Sequence, residues 1–239
     1  MKFEQAYKEL LAYAKEATEL ELPDLQRRTP SLRVSGFPFC GLQTLINRQD
    51  TEQHTHDMGM PYYTSVGTAA HLVFQRYFGN KGSIFGNWKC YSCKNVLRLS
   101  TIKPCPICGN EMEYEELEVA YGEHLTGHVD GIFQASDGSY WILDYKTTSS
   151  KVLRTHKKEG DLLPYGKNVH QIMAYCALIE HQYGMKISGW FLLYIVRDDP
   201  KQSACFGDSI SRDVKENILD ICDLYNRQMT AIQKFDAVS

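Results

Sequence analysis

The sequence predicts an α/β protein, and three patterns predict it. Two apolar runs, Gly127-His128-Val129-Asp130-Gly131-Ile132 and Ile142-Leu143-Asp144-Tyr145-Lys146-Thr147, read as strands joined by the polar turn Ala135-Ser136-Asp137-Gly138-Ser139. A third run, 188–196, is a buried strand by its length and its β-branched and aromatic content. Segments with apolar residues at helical spacing, 65–78, 167–183 and 211–235, alternate with them.

Taken in order, residues 2–20 carry Phe3, Tyr7, Leu10, Leu11 and Ala14 on one helical face, and Pro23 and Pro30 bracket the loop that follows. A short helix is expected over 39–48, and a polar loop with His54 and His56 over 49–57, where exposed polar residues are a commoner outcome than metal ligands. In the helix over 65–78, Gly67 and His71 share a face at i and i+4. Residues 111–123 alternate Glu116 and Glu118 against Leu117 and Val119, as a first core strand would.

At 239 residues, 43% of them hydrophobic, the chain can bury one sizeable core. No apolar run approaches the ~20 residues of a membrane span, and the charged amphipathic start is unlike a secretion signal. A cytoplasmic protein is expected, in a host cytoplasm if the source is viral. A net charge of −3 does not suggest a polyanion partner, but its distribution does. Residues 76–110 hold Arg76, Lys81, Lys89, Lys94, Arg98 and Lys103 with no Asp or Glu, and 145–158 hold Lys146, Lys151, Arg154, Lys157 and Lys158 with none. These segments flank the acidic strands as a phosphate-tracking groove requires, the alternative being solvated loops.

The strand pair carries the chemistry. Side chains alternate faces, so Asp144 and Lys146 project together while Leu143 and Tyr145 face the other way, and the turn returns Asp130 towards them. Paired carboxylates repel unless a cation lies between them, and hard oxygen ligands suit Mg2+ or Mn2+. Such an ion beside a lysine is the outline of phosphodiester hydrolysis.

Four of eight cysteines form Cys90-x2-Cys93-x11-Cys105-x2-Cys108, the spacing of a four-thiolate zinc ribbon. A disulfide or redox pair is the alternative, and four thiolates would leave zinc no open position for catalysis, making it structural. The layout expected is a single domain: an N-terminal helical part over 1–86, the ribbon inserted at 87–112, the core over 113–208 and a C-terminal helix over 209–239.

Asp130, Asp144-x-Lys146, Gly67-Thr68-Ala69-Ala70-His71 and Gln171-Ile172-Met173-Ala174-Tyr175, in that arrangement, resemble the motif set of the PD-(D/E)xK nucleases, and most of all the RecB-type branch that includes the CRISPR-associated exonucleases. The resemblance implies a restriction-endonuclease-like core, a mixed central sheet flanked by helices, with the zinc ribbon as an insertion. It implies His71, Asp130 and Asp144 as ligands of Mg2+ or Mn2+ with help from the Tyr145 carbonyl, and Lys146 as the residue that orients or deprotonates water. It implies an acidic residue on the first core strand, for which Glu118 is the candidate. Gln171 and Tyr175 are implied to contact DNA, together with the basic Lys151 and Arg154. Some members of the branch hold an iron–sulfur cluster, for which Cys40 stands in position, but Cys176, Cys205 and Cys222 are scattered, which favours zinc in the ribbon.

The activity implied is that of a DNA exonuclease or end-processing nuclease in recombination, repair or phage DNA metabolism, with a recombinase, single-strand-binding protein or helicase as possible partners. A structure- or sequence-specific endonuclease of the same fold is one alternative. A non-catalytic nucleic-acid or protein-binding module built on the ribbon is another. No P-loop motif occurs, which argues against an ATP-driven helicase of that type.

Overall fold

The computed structural model of the protein describes residues 32–34, 59–101, 103–159 and 164–236. The helices expected over 2–20 and 39–48, together with Cys40, His54 and His56, lie outside the described residues. In chain order the elements are β1 (Leu32–Arg33), α1 (Gly59–Asn80), β2 (Ile84–Lys89), β3 (Val96–Leu99), β4 (Glu113–Glu115), β5 (Leu117–Tyr121), β6 (Leu125–Val129), β7 (Gly131–Gln134), β8 (Tyr140–Thr148), α2 (Ser150–Glu159), α3 (Gly166–Tyr183), β9 (Ile187–Val196), β10 (Ala204–Ser209) and α4 (Arg212–Asp236).

The main sheet runs β10-β9-β8-β7-β2-β3, with β4 also pairing β2. It is mixed: β8 and β9 are parallel, the other pairs antiparallel. A parallel pair needs a long crossover, and α2 and α3 supply it. The β7–β8 hairpin closes where the polar turn was expected, with Ala135 N–H donating to Ser139 O at 2.9 Å and Asp137 Oδ1 accepting from Ser139 N–H at 2.9 Å. This is a restriction-endonuclease-like α/β core, as the motifs implied.

A smaller sheet, β1-β6-β5, leans on α3 and α4. Only Asp130 separates β6, in the small sheet, from β7, in the large one. The chain bends there, and that bend aims the Asp130 carboxylate.

The expected first core strand is interrupted in the same way. Residues 113–115 pair with β2, residues 117–121 pair with β6, and Glu116 is the corner between them.

The largest core packs α3 against β8 and β9, with α4 laid on the far side of α3. On α4, Ile218, Cys222, Tyr225 and Met229 follow the 4-3-4 spacing of one buried face, so tertiary packing, not propensity, holds this helix. By contrast α3 is covered by the sheet on one side and α4 on the other and buries residues all round, including Cys176. Cys176 and Cys222 are core thiols, as small hydrophobes are.

A second core joins the four-cysteine segment to the rest: Ile84, Trp88, Cys90, Cys105 and Met112 pack with Phe78 of α1. Strand β2 belongs to both units, pairing with β7 at Ile84 and Phe85 and with β3 and β4 from Gly86 to Lys89. The expected boundary at 87 therefore falls inside one continuous strand. No helix among the described residues is long and apolar enough to cross a membrane.

Candidate active site

Helix α1 lies across the face of β8 that carries Tyr145, with the Phe74 and Tyr145 rings stacked at 5.4 Å. The helix meets β8 at Gly67, where an added Cβ would lie in van der Waals contact, 3.4 Å from Thr147 Oγ1. One turn on, His71 Nε2 stands 3.2 Å from the Tyr145 carbonyl oxygen and 3.7 Å from Asp130 Oδ2. Its Nδ1 is 3.8 Å from Glu116 Oε1. Asp130 Oδ2 accepts the Tyr145 N–H at 2.8 Å, so the carboxylate is fixed by the strand beside it. On the opposite side of β8, Lys146 Nζ donates to Asp144 Oδ1 at 2.8 Å and stands 2.7 Å from Oδ2. Asp144 is buried, so the Lys146 ammonium is the counter-charge against both of its oxygens.

Donor atoms of His71, Glu116 and Asp130 all lie within 4.8 Å of one another. Of the three ligands the resemblance implied, His71 and Asp130 converge, with Glu116 as the third member, while Asp144 stands outside the group on its tether to Lys146.

Burial and the Asp144 charge push the Asp130 carboxyl up to about 7, against the pull of His71 and Lys146. Burial also raises Asp144, although the Lys146 ammonium opposes it. For His71, burial acts downward, but the Glu116 and Asp130 carboxylates outweigh it and the imidazole titrates above its ordinary value. In this state protons do the neutralising that a cation would do. An imidazole nitrogen, the Glu116 and Asp130 carboxylates and a main-chain carbonyl, with the Asp144 carboxylate nearby, are a donor set that fits Mg2+ or Mn2+.

Two members of the cluster were not anticipated. Glu116 replaces Glu118 beside His71: Glu118 lies on the exposed face of β5 opposite His128, while the corner at 116 turns its neighbour inward. Gln75, 4% exposed, donates from Nε2 to the Asp130 main-chain oxygen at 2.9 Å and to Glu116 Oε1 at 3.3 Å. Its signal was present in the sequence, one helical turn after His71 on the same face.

Of the residues expected at DNA, Gln171 and Tyr175 meet on α3 as spaced, with Gln171 Nε2 donating to Tyr175 Oη at 3.4 Å. Tyr175 is 4% exposed and Gln171 is also buried. A stacked base needs an open ring face, which Tyr175 does not present; the pair forms part of the core behind the carboxylates. Lys151 and Arg154 are exposed on α2, which begins just beyond Lys146. Asp198 fixes the start of that helix by accepting the Ser150 N–H at 2.8 Å and its hydroxyl at 2.6 Å.

The sulfurs of Cys90, Cys93, Cys105 and Cys108 converge within 4.8 Å of one another. The closest pairs, Cys90 with Cys108 and Cys93 with Cys105, are 3.4 Å apart, far beyond the ~2.05 Å of a disulfide. The two knuckles share one backbone turn: Lys94 N–H donates to Cys90 O and Gly109 N–H to Cys105 O, both at 2.8 Å. Although burial opposes it, the backbone N–H groups of Ile107 and Cys108 draw the Cys105 thiol down to about 6. A single ion can reach all four.

A buried acid pair with an adjoining lysine on a mixed sheet is the arrangement the motifs implied. The chain belongs to the PD-(D/E)XK nuclease superfamily, whose sequence model matches residues 107–234, more than half of its length. It is a nuclease, a hydrolase by class. No curated protein matches it in sequence. Among solved structures, that of SSO0001 is similar at a TM-score of 0.46 and 15% identity, over 92% of this chain and 85% of that one. LHK-Exo in complex with dAMP gives 0.41 at 11% identity, over 87% and 94%. The alkaline exonuclease LHK-Exo from Laribacter hongkongensis gives 0.40 at 10% identity, over 88% and 95%.

Proposed function

We propose that the protein is a metal-dependent DNA exonuclease or end-processing nuclease of the RecB-type branch, with His71, Glu116, Asp130, Asp144 and the Tyr145 carbonyl holding Mg2+ or Mn2+. The observation that carries the reading is the convergence of His71, Glu116 and Asp130 within 4.8 Å, beside a buried Asp144 bound to Lys146. A bound divalent ion would lower the pKa of a coordinated water and neutralise charge that builds on the phosphate.

The remaining roles belong to the chain. Lys146, tethered to Asp144 and partly exposed, is placed to orient or deprotonate the attacking water or to donate to a phosphate oxygen. Gln75 is a positioning residue, tying Glu116 to the Asp130 backbone. Lys151 and Arg154 on α2 flank the exit from β8 and suit a phosphate backbone approaching from that side. The four cysteines hold structural Zn2+, which stiffens a segment whose own core is small. Gly67-x3-His71 and Gln171-x3-Tyr175 accompany the acid pair and support the end-acting branch.

The test is digestion of end-labelled linear single-stranded and duplex DNA beside covalently closed circles, with Mg2+ or Mn2+ and with Asp144→Ala as control. Metal-dependent loss of linear DNA with circles spared is expected. Nicked circles would favour the endonuclease, and no cleavage of any substrate would overturn the enzymatic reading.

A further inference from the structure

The twin knuckles of the cysteine module share a fold but not a surface. Their turns superpose residue for residue in hydrogen bonding: Cys90 N–H donates to Asn95 O and Cys105 N–H to Asn110 O, both at 2.8 Å, matching the pair of bonds to Lys94 and Gly109. The residue after each second cysteine sits in the left-handed region, Gly109 at φ 73° and Lys94 at φ 61°. Glycine adopts this without strain; lysine does not. The second knuckle shows what the turn prefers, so the strain at Lys94 points to something the lysine does there.

What Lys94 does is visible next to it. Its Nζ lies 5.8 Å from the centre of the Tyr91 ring, and Lys89 Nζ lies 5.8 Å from the same ring. Both ammonium groups stand over the ring at the outer limit of a cation–π contact, and Tyr91 remains 53% exposed. Lys89 is shared with Glu115, at 2.9 Å. The equivalent of Tyr91 in the second knuckle is Pro106, which offers neither ring nor charge. A half-exposed aromatic with two ammonium groups on long, flexible stems beside it, on a segment with no acid between residues 76 and 110, is complementary to an unstacked base with phosphates on either side.

We infer that the first knuckle is a single-strand binding platform, on which Tyr91 stacks a nucleobase while Lys94 and Lys89 hold the adjoining phosphates. The inference rests on the reading that the substrate is DNA and adds where a frayed or resected strand is held. A duplex keeps its bases stacked inside and cannot use Tyr91, so the platform discriminates between the two forms.

The experiment is fluorescence anisotropy of a labelled pyrimidine single strand, and of a blunt duplex, against the zinc-loaded full chain carrying Asp144→Ala to stop cleavage. Adding Tyr91→Ala should weaken single-strand binding by about five- to a hundredfold, with duplex binding changed by less than about twofold because no base is stacked there. Adding Lys94→Gly instead copies the second knuckle. It should lower the salt slope of single-strand binding by about 0.7, while zinc content stays the same and the thermal midpoint stays level or rises. Single-strand affinity unmoved by Tyr91→Ala would overturn the platform, and so would a Lys94→Gly protein whose midpoint and zinc content fall together with binding. Cleavage by the parent chain is scored separately, so a nuclease with an inert Tyr91 refutes this inference alone.

Discussion

In the absence of a divalent ion at the acid cluster, raising the pH should destabilise the protein. Asp130 titrates at about 7 when folded against an ordinary 3.8, so between those values the folded state binds a proton that the unfolded state has lost. The sign follows: unfolding free energy falls as pH rises across that window. Asp144, also raised, acts in the same direction, and so does His71, whose contribution is present at low pH and lost as its raised pKa is passed. For Asp130 alone a gap of about three units, at about 1.4 kcal/mol each, is a few kcal/mol. At about 2–4 °C per kcal/mol for a chain of this size, the thermal midpoint should drop on the order of 5–10 °C between pH 5 and pH 8. Mg2+ or Mn2+ replaces the protons, so the midpoint gained on adding either ion should grow with pH. Scanning calorimetry in chelator-free buffer, which leaves the cysteine module loaded, measures both. Asp130→Asn should flatten the pH dependence and most of the metal response. A wild-type midpoint that climbs through this window, or an Asp130→Asn profile identical to wild type, would refute the reasoning.

Lys146→Ala should abolish cleavage while Mn2+ binding, read by electron paramagnetic resonance, persists; retained cleavage would remove the lysine from the mechanism. Gln75→Leu is expected to weaken Mn2+ binding by about 10–100-fold, as loss of a residue that orients ligands does, with the midpoint of the metal-free protein changed less than that of a core truncation. Elemental analysis should find one zinc per chain, and Cys105→Ser should release it and lower the midpoint; a fully stable zinc-free chain would show that the module needs no metal.

Much of this site is legible in the sequence because two periodicities carry it. The two-residue alternation of β8 places Asp144 with Lys146, and the four-residue helical repeat places His71 one turn from Gly67 and one turn from Gln75. Corners are not periodic. Glu116 turns inward because the chain changes sheets there, and alternation alone gave Glu118 the same claim. Charge runs also hide their partners: Arg76 lies 3.5 Å from Glu111 and Lys89 lies 2.9 Å from Glu115, so part of the acid-free segment is neutralised from just beyond its end. The spacing of Tyr175 to Gln171 is preserved by the helix, but only the close approach of Gly127 on β6 to the Tyr175 ring shows that ring to be enclosed.

Diffraction from crystals grown with Mn2+, recorded at the manganese edge, tests the central claim most directly. The account predicts an anomalous peak bonded by the Asp130 and Asp144 carboxylates, with His71 and Glu116 around it and Lys146 free to face a phosphate. An empty cluster at saturating Mn2+, or manganese bound elsewhere with these four side chains unmoved, would contradict it.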